Sequence, residues 1–159
     1  MAIVLGIMSS KGGAGKSTVL INLAYCVSAK YKVLVVDADE QGTTDKFYDV
    51  RDEEGMLVPD YISLEHQVLK GQFEEKKKNE DEEEEEEEIK QPDPMLSLDE
   101  LIAKYEYVYD YIFIDTPGVD SVITRMALIL ADSACIPTGF TGFDINALAR
   151  TITIINECK

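Results

Sequence analysis

With 159 residues, 45% of them hydrophobic, the chain has the size and composition of one domain with a packed core. Its formal net charge of −16 has the wrong sign for holding nucleic acid or anionic lipid through counterion displacement. No apolar run approaches the roughly 18–20 residues of a membrane span, no basic segment of a signal peptide opens the chain, and Cys26, Cys135 and Cys158 lack metal or disulfide spacing. These features predict a cytoplasmic protein with reduced thiols and no membrane partner.

Residues 3–8 are an apolar run ending in Ser9-Ser10-Lys11-Gly12-Gly13, a buried strand entering a glycine turn. Beyond Lys16-Ser17-Thr18, Val19, Leu20, Leu23, Ala24 and Val27 recur at helical spacing, which predicts a helix to about residue 30. Lys-Val-Leu-Val-Val at 32–36 is a second buried strand, closed by Asp37. Strand, loop, helix and strand within about 35 residues have the spacing of a βαβ unit with parallel strands.

Residues 41–60 read as polar and irregular, and 62–69 as a short helix. Twelve acids and four lysines fall within residues 74–94, so about half of the net charge sits there. So few apolar groups cannot offset the entropy of ordering, and 72–94 is expected to be a disordered, solvated acidic insertion in a single domain spanning 1–159. A role as docking segment for a basic partner is the lesser alternative.

Ser97 followed by Glu100 matches a capping box and predicts a helix to about residue 105. Tyr105, Tyr107, Tyr109 and Tyr111 alternate in a strand-like approach to a third strand, Tyr-Ile-Phe-Ile at 111–114, which ends in Asp115-Thr116-Pro117-Gly118. A helix over about 121–130, a fourth strand at 134–137 and a last helix over about 145–158 complete four β-α units. Ligands of such open α/β sheets bind at the carboxyl ends of the strands. His66, Arg125 and Arg150 read as incidental or surface residues.

The loop Ser10-Lys11-Gly12-Gly13-Ala14-Gly15-Lys16-Ser17-Thr18 carries the chemistry. It departs from the strict Walker A pattern GxxxxGK[ST] only at Ser10, where the first glycine belongs. Glycines let backbone N–H groups approach phosphate oxygens without a Cβ in the way. The helix that follows adds unsatisfied N–H groups and a positive dipole end. Lys16 is expected to reach the β- and γ-phosphates, and the Ser17 hydroxyl to ligate Mg²⁺. A glycine-rich turn with a chance lysine is the bland alternative. The preceding strand, the following helix and the strand-end aspartates speak against it.

With its second lysine, Lys11, the loop resembles the deviant Walker A motif of the ParA/MinD family of partitioning and positioning ATPases. Three further segments resemble that family in the same order. They are Val-Leu-Val-Val-Asp-Ala-Asp-Glu-Gln-Gly at 33–42, Tyr-Asp-Tyr-Ile-Phe-Ile-Asp-Thr-Pro at 109–117, and Ala-Asp-Ser-Ala-Cys-Ile-Pro at 131–137. Glu40 departs from the family, which usually has proline there. The likeness covers about residues 1–50 and 105–157 and is nearest to the small plasmid-partition proteins.

The resemblance implies a three-layer P-loop NTPase fold with a mainly parallel sheet, short at its C-terminal side relative to the family. It implies Mg-ATP binding, slow ATP hydrolysis and an ATP-bound homodimer of the DNA-segregation type. Lys11 would reach the partner's phosphates, and a centromere-binding adaptor would be a partner; the charge gives nonspecific DNA binding no support. Lys11, Lys16 and Asp39 would be catalytic, Asp39 as the acid that positions the attacking water. The phosphate cradle would comprise Lys11, Gly12, Gly13, Ala14, Gly15, Lys16, Ser17 and Thr18, with the Gly118 N–H as γ-phosphate sensor. Ser17, Asp37 and Asp115 would serve the metal. Strand-end caps remain the alternative for the three aspartates. A non-catalytic nucleotide-binding module that regulates a full-length partner is the second functional reading. Unpaired cysteines argue against an iron–sulfur carrier, and the lack of a substrate domain against a metabolic ligase.

Overall fold

The computed structural model describes residues 1–70 and 95–158. The acidic insertion expected at 72–94 lies outside them. Five strands form one sheet: β1 (Ile3–Ile7), β2 (Val33–Asp37), β3 (Asp60–Ser63), β4 (Tyr111–Asp115) and β5 (Ser133–Cys135). Their order is β3-β2-β4-β1-β5 and every pairing is parallel. The helices are α1 (Lys16–Ser28), α2 (Thr43–Glu53), α3 (Leu98–Tyr105), α4 (Val122–Leu130) and α5 (Gly142–Cys158).

Parallel strands are covered on both faces and so read as continuous apolar runs. The wholly buried β2 is such a run. Successive side chains point to opposite faces of the sheet. Ile7, Val33, Val35 and Phe113 pack with Leu20 and Ala24 of α1 and Tyr48 of α2. Val4, Leu34, Val36, Ile112 and Ile114 pack with Leu98, Leu101 and Ile102 of α3 and Ala127 of α4. Helices on both faces of a parallel sheet give the expected three layers. Among the described residues no helix is long and apolar enough to cross a membrane.

Local signals set several boundaries. The capping box forms as expected, with the Ser97 N–H donating to Glu100 Oε2 at 2.9 Å. Ser121 caps α4 by accepting from the Thr124 N–H at 3.2 Å. Elsewhere tertiary contacts override the sequence pattern. Residues 60–63 form a fifth strand that takes the first two residues of the short helix expected at 62–69, and no helix forms over the rest; β2 offers its free edge to all four strand residues. The stretch read as irregular contains α2, whose N-cap, Gly42, has no side chain to give. The Asp37 carboxylate of β2 caps it instead, accepting from the Thr44 and Asp45 N–H groups at 3.0 and 2.9 Å. The tyrosines are not an extended ladder. Tyr105 ends α3, Tyr107 is exposed in a turn, and the Tyr109 hydroxyl donates to buried Asp60 at 2.7 Å. Of the four, only Tyr111 lies in a strand. β5 lies at one edge of the sheet formed by the described residues.

Candidate phosphate and metal site

β1, β2 and β4 end side by side, so that Ile7, Asp115 and Asp37 stand in register across the sheet. The glycine loop leaves β1 there and enters α1 at Lys16. Gly13 and Gly15 take φ values of 71° and 84°, a left-handed region that side chains disfavour, so the loop needs glycine at both. Gly12 is exposed, Ala14 is half-buried and Thr18 is exposed on α1.

Lys16 is 7% exposed, unusual for a lysine. A Cβ on Gly118 would lie 3.2 Å from Lys16 Nζ and 3.4 Å from Gly12 Cα. Thus the loop, the buried ammonium and the turn after β4 converge so closely that a side chain at Gly118 would have to push its neighbours aside. A cavity of about 810 Å³ opens beside them at the carboxyl ends of β2, β3 and β4. Gly12, Asp37, Asp39, Ser63 and Gly118 are among its lining.

Asp115 is 1% exposed. The Thr44 hydroxyl donates to its Oδ2 at 2.6 Å, while Oδ1 is buried without a hydrogen-bond partner among the described residues. Burial raises its pKa, opposed by the nearby Ser17 and Thr44 hydroxyls and the Lys16 ammonium. Ser17 is close enough to favour the charged carboxylate. An orphaned, buried carboxylate oxygen beside a serine hydroxyl fits a hard divalent cation. Mg²⁺ suits it, because that ion takes one or two protein oxygens and fills its octahedron with phosphate and water.

In this structure Asp37 acts as a strand-end cap. Its Oδ1 accepts from the Asp39 N–H at 3.1 Å and its Oδ2 from two N–H groups of α2, so it organises the turn from β2 into α2. Burial nevertheless pushes its carboxyl up to about 6, helped by the charge of Asp115 and opposed by those N–H groups. An acid with a folded pKa above its ordinary 3.8 holds its proton more tightly when folded. That stabilisation is complete below about pH 4 and is lost as pH rises through 6, a decline of about 3 kcal/mol by pH 7. Asp37→Asn should flatten this part of the magnesium-free stability profile, read by urea unfolding at pH 4 and pH 7. Identical slopes in the two proteins would refute it.

Asp39 is half-buried, and its Oδ1 accepts from the Gln41 N–H at 3.1 Å. Lys11 stands apart: its Nζ lies 2.5 Å from Asp144 Oδ1 of α5, well exposed. Asp144 also accepts from the Thr141 N–H and hydroxyl, and its carboxyl is held down at about 2, chiefly by Lys11. The structure therefore gathers Gly12, Lys16, Ser17, Asp37, Asp39, Asp115 and Gly118 at one strand-end site, with the Lys11 ammonium engaged elsewhere. Sequence reasoning missed Thr44 and Asp144. Thr44 carried no signal, whereas Asp144 stands three residues after Thr141, a capping pattern that was legible. Arg125 pairs with Asp120 and Glu157, as a surface residue does.

A family model described as an AAA domain matches residues 2–159. The chromosome-partitioning ATPase Soj of Treponema pallidum is 28% identical, over 100% of this chain and 66% of its own length. A plasmid partition protein from Borrelia burgdorferi, solved with AMPPNP bound, superposes with a TM-score of 0.66 at 25% identity, covering 99% of this chain and 69% of that one. The chain belongs to the ParA/MinD family. An uncharacterised protein from Pseudomonas putida is 33% identical over 99% of the chain and 64% of its own length. This ParA/MinD family member thus spans about two thirds of the curated relatives it matches, and its fold is the P-loop NTPase fold of their solved counterparts.

Proposed function

We propose that the chain binds Mg-ATP, hydrolyses it slowly and uses the bound nucleotide to pair with a second copy, as a cytoplasmic switch of the partition type. The observation that carries this reading is the convergence of the buried Lys16 ammonium, Gly12 and Gly118 beside the unpartnered oxygen of Asp115. Family membership and the AMPPNP held by the Borrelia relative support it.

Each residue then has a physical role. Backbone N–H groups from Gly12 to Ser17 and the start of α1 surround the β-phosphate, and Lys16 neutralises the β- and γ-phosphates. Ser17 and Asp115 would hold Mg²⁺, which would supply charge neutralisation at the phosphates. Thr44 orients Asp115 from α2, and Asp37 fixes α2, so two neighbouring strand ends keep the metal oxygens in place. The Gly118 N–H would serve as the γ-phosphate sensor. Asp39 lines the cavity and orients the attacking water. Lys11, in a deviant Walker A loop, leaves Asp144 to meet the partner's phosphates, where a second ammonium stabilises charge that grows on the transferring group. A centromere-binding adaptor is the partner that this reading implies, and nonspecific DNA has no basis in the charge.

Phosphate release from ATP with and without Mg²⁺ is the direct test. The wild type should turn over slowly and only with Mg²⁺. Asp39→Ala should keep nucleotide affinity within a few-fold and lose about a hundredfold in rate, the scale of a missing general-base contribution. Nucleotide binding without any phosphate release by the wild type would favour the non-catalytic module instead.

A further inference from the structure

α5 runs 17 residues and buries one of them, Thr151, which is 3% exposed. A helix that docks for stability buries an apolar stripe of three to four residues in every two turns. Here the single buried position carries a hydroxyl, and the hydroxyl is aimed at the phosphate loop. It accepts from the Ser10 N–H at 3.0 Å and donates to the Ala147 carbonyl at 2.9 Å. The Ser10 hydroxyl donates to the same carbonyl at 2.8 Å. The four groups close a ring in which every donor has an acceptor. Ser10 replaces the first glycine of the strict loop, and its hydroxyl completes that ring. The next residue, Lys11, is tied to Asp144 of the same helix.

The start of the loop is thus fixed by a helix 141 residues further along the chain. Glycine-rich loops lose the most conformational entropy on ordering, and ligand affinity falls by whatever ordering binding must supply. Ser10 held in place removes part of that demand before nucleotide arrives. We propose that Thr151 is a positioning residue for the phosphate loop, acting through Ser10, so that α5 and the bound nucleotide are energetically coupled. This rests on the reading of the loop as a nucleotide site. By linkage, whatever shifts α5 shifts nucleotide affinity, and nucleotide steadies α5 in return.

Thr151→Val keeps the shape and removes both hydrogen bonds, leaving the Ser10 N–H unpaired; Thr151→Ser keeps the hydroxyl. A fluorescent N-methylanthraniloyl ATP is titrated with Mg²⁺ into each protein, well below its melting temperature. The valine variant should bind about tenfold more weakly, and the serine variant within about twofold of wild type. Valine binding like wild type overturns the proposal, as does a loss that serine does not restore. Should the valine variant not fold, hydrogen exchange on the wild type decides. Mg-ADP should slow exchange at the Ser10 amide and across residues 147–155 together, and unchanged exchange in α5 overturns the coupling. A wild type that binds no nucleotide overturns the functional reading as well, whereas nucleotide binding matched by the valine variant overturns this inference alone.

Discussion

Lys16→Gln is expected to weaken Mg-ATP binding by a hundredfold or more, while the free protein melts within a few degrees of wild type. A charge-assisted hydrogen bond contributes about 1.5–3 kcal/mol, and Lys16 would make such bonds to two phosphates. Its ammonium sits against Gly118 and Gly12 with the Asp115 carboxylate nearby, so the whole interaction falls on the triphosphate and its metal oxygens. Glutamine keeps most of the stem length and a polar end, so α1 still starts at this position and the loop keeps its glycines. The readout is the nucleotide-linked rise in melting temperature. At a hundredfold excess over Kd a ligand stabilises by about 2.7 kcal/mol, of which a variant weakened a hundredfold should keep only about 0.4 kcal/mol at the same nucleotide concentration. Equal rises in wild type and variant would return the loop to a glycine-rich turn with an incidental lysine.

The parts of this site legible in the sequence are those built by contiguous residues. The glycine loop, Lys16, Ser17 and the apolar strands ending in Asp37 and Asp115 are each a local pattern, and parallel pairing places their ends together. What the sequence hid depends on partners far along the chain. α2 has no local cap, because its cap is Asp37 on a neighbouring strand, so a polar stretch conceals a helix. β3 is four residues long, and an edge of β2 rather than any local periodicity makes it a strand. Thr44 meets Asp115 across 71 residues, and Thr151 meets Ser10 across 141. Single polar residues without a spacing pattern give no hint of such roles. The Ser10 substitution was visible as an oddity in the loop, and its reason lies in α5.

Lys11→Ala is expected to abolish ATP-dependent dimerisation while leaving nucleotide affinity within a few-fold of wild type. Lys11 is exposed and its ammonium is bound to Asp144, so within one protomer it adds little to the cradle that Lys16, Gly12 and Gly118 form. An exposed ion pair also stabilises a fold little. Asp144 keeps the Thr141 N–H and hydroxyl as donors when Lys11 is gone, so the start of α5 should survive the change. A normal melting temperature would document that. The contribution of Lys11 then appears only where a second protomer brings a triphosphate within its reach, and release from Asp144 is the exchange that ATP must favour. Sedimentation of wild type and variant with Mg-ATP, Mg-ADP and no nucleotide separates the cases. Wild type should be dimeric with Mg-ATP alone and the variant monomeric throughout. Asp144→Asn removes the competing carboxylate charge and should lower the ATP concentration at which dimers form. A Lys11→Ala protein that dimerises normally with ATP would show that this lysine serves its own protomer, and the trans mechanism would fall while the nucleotide site remained.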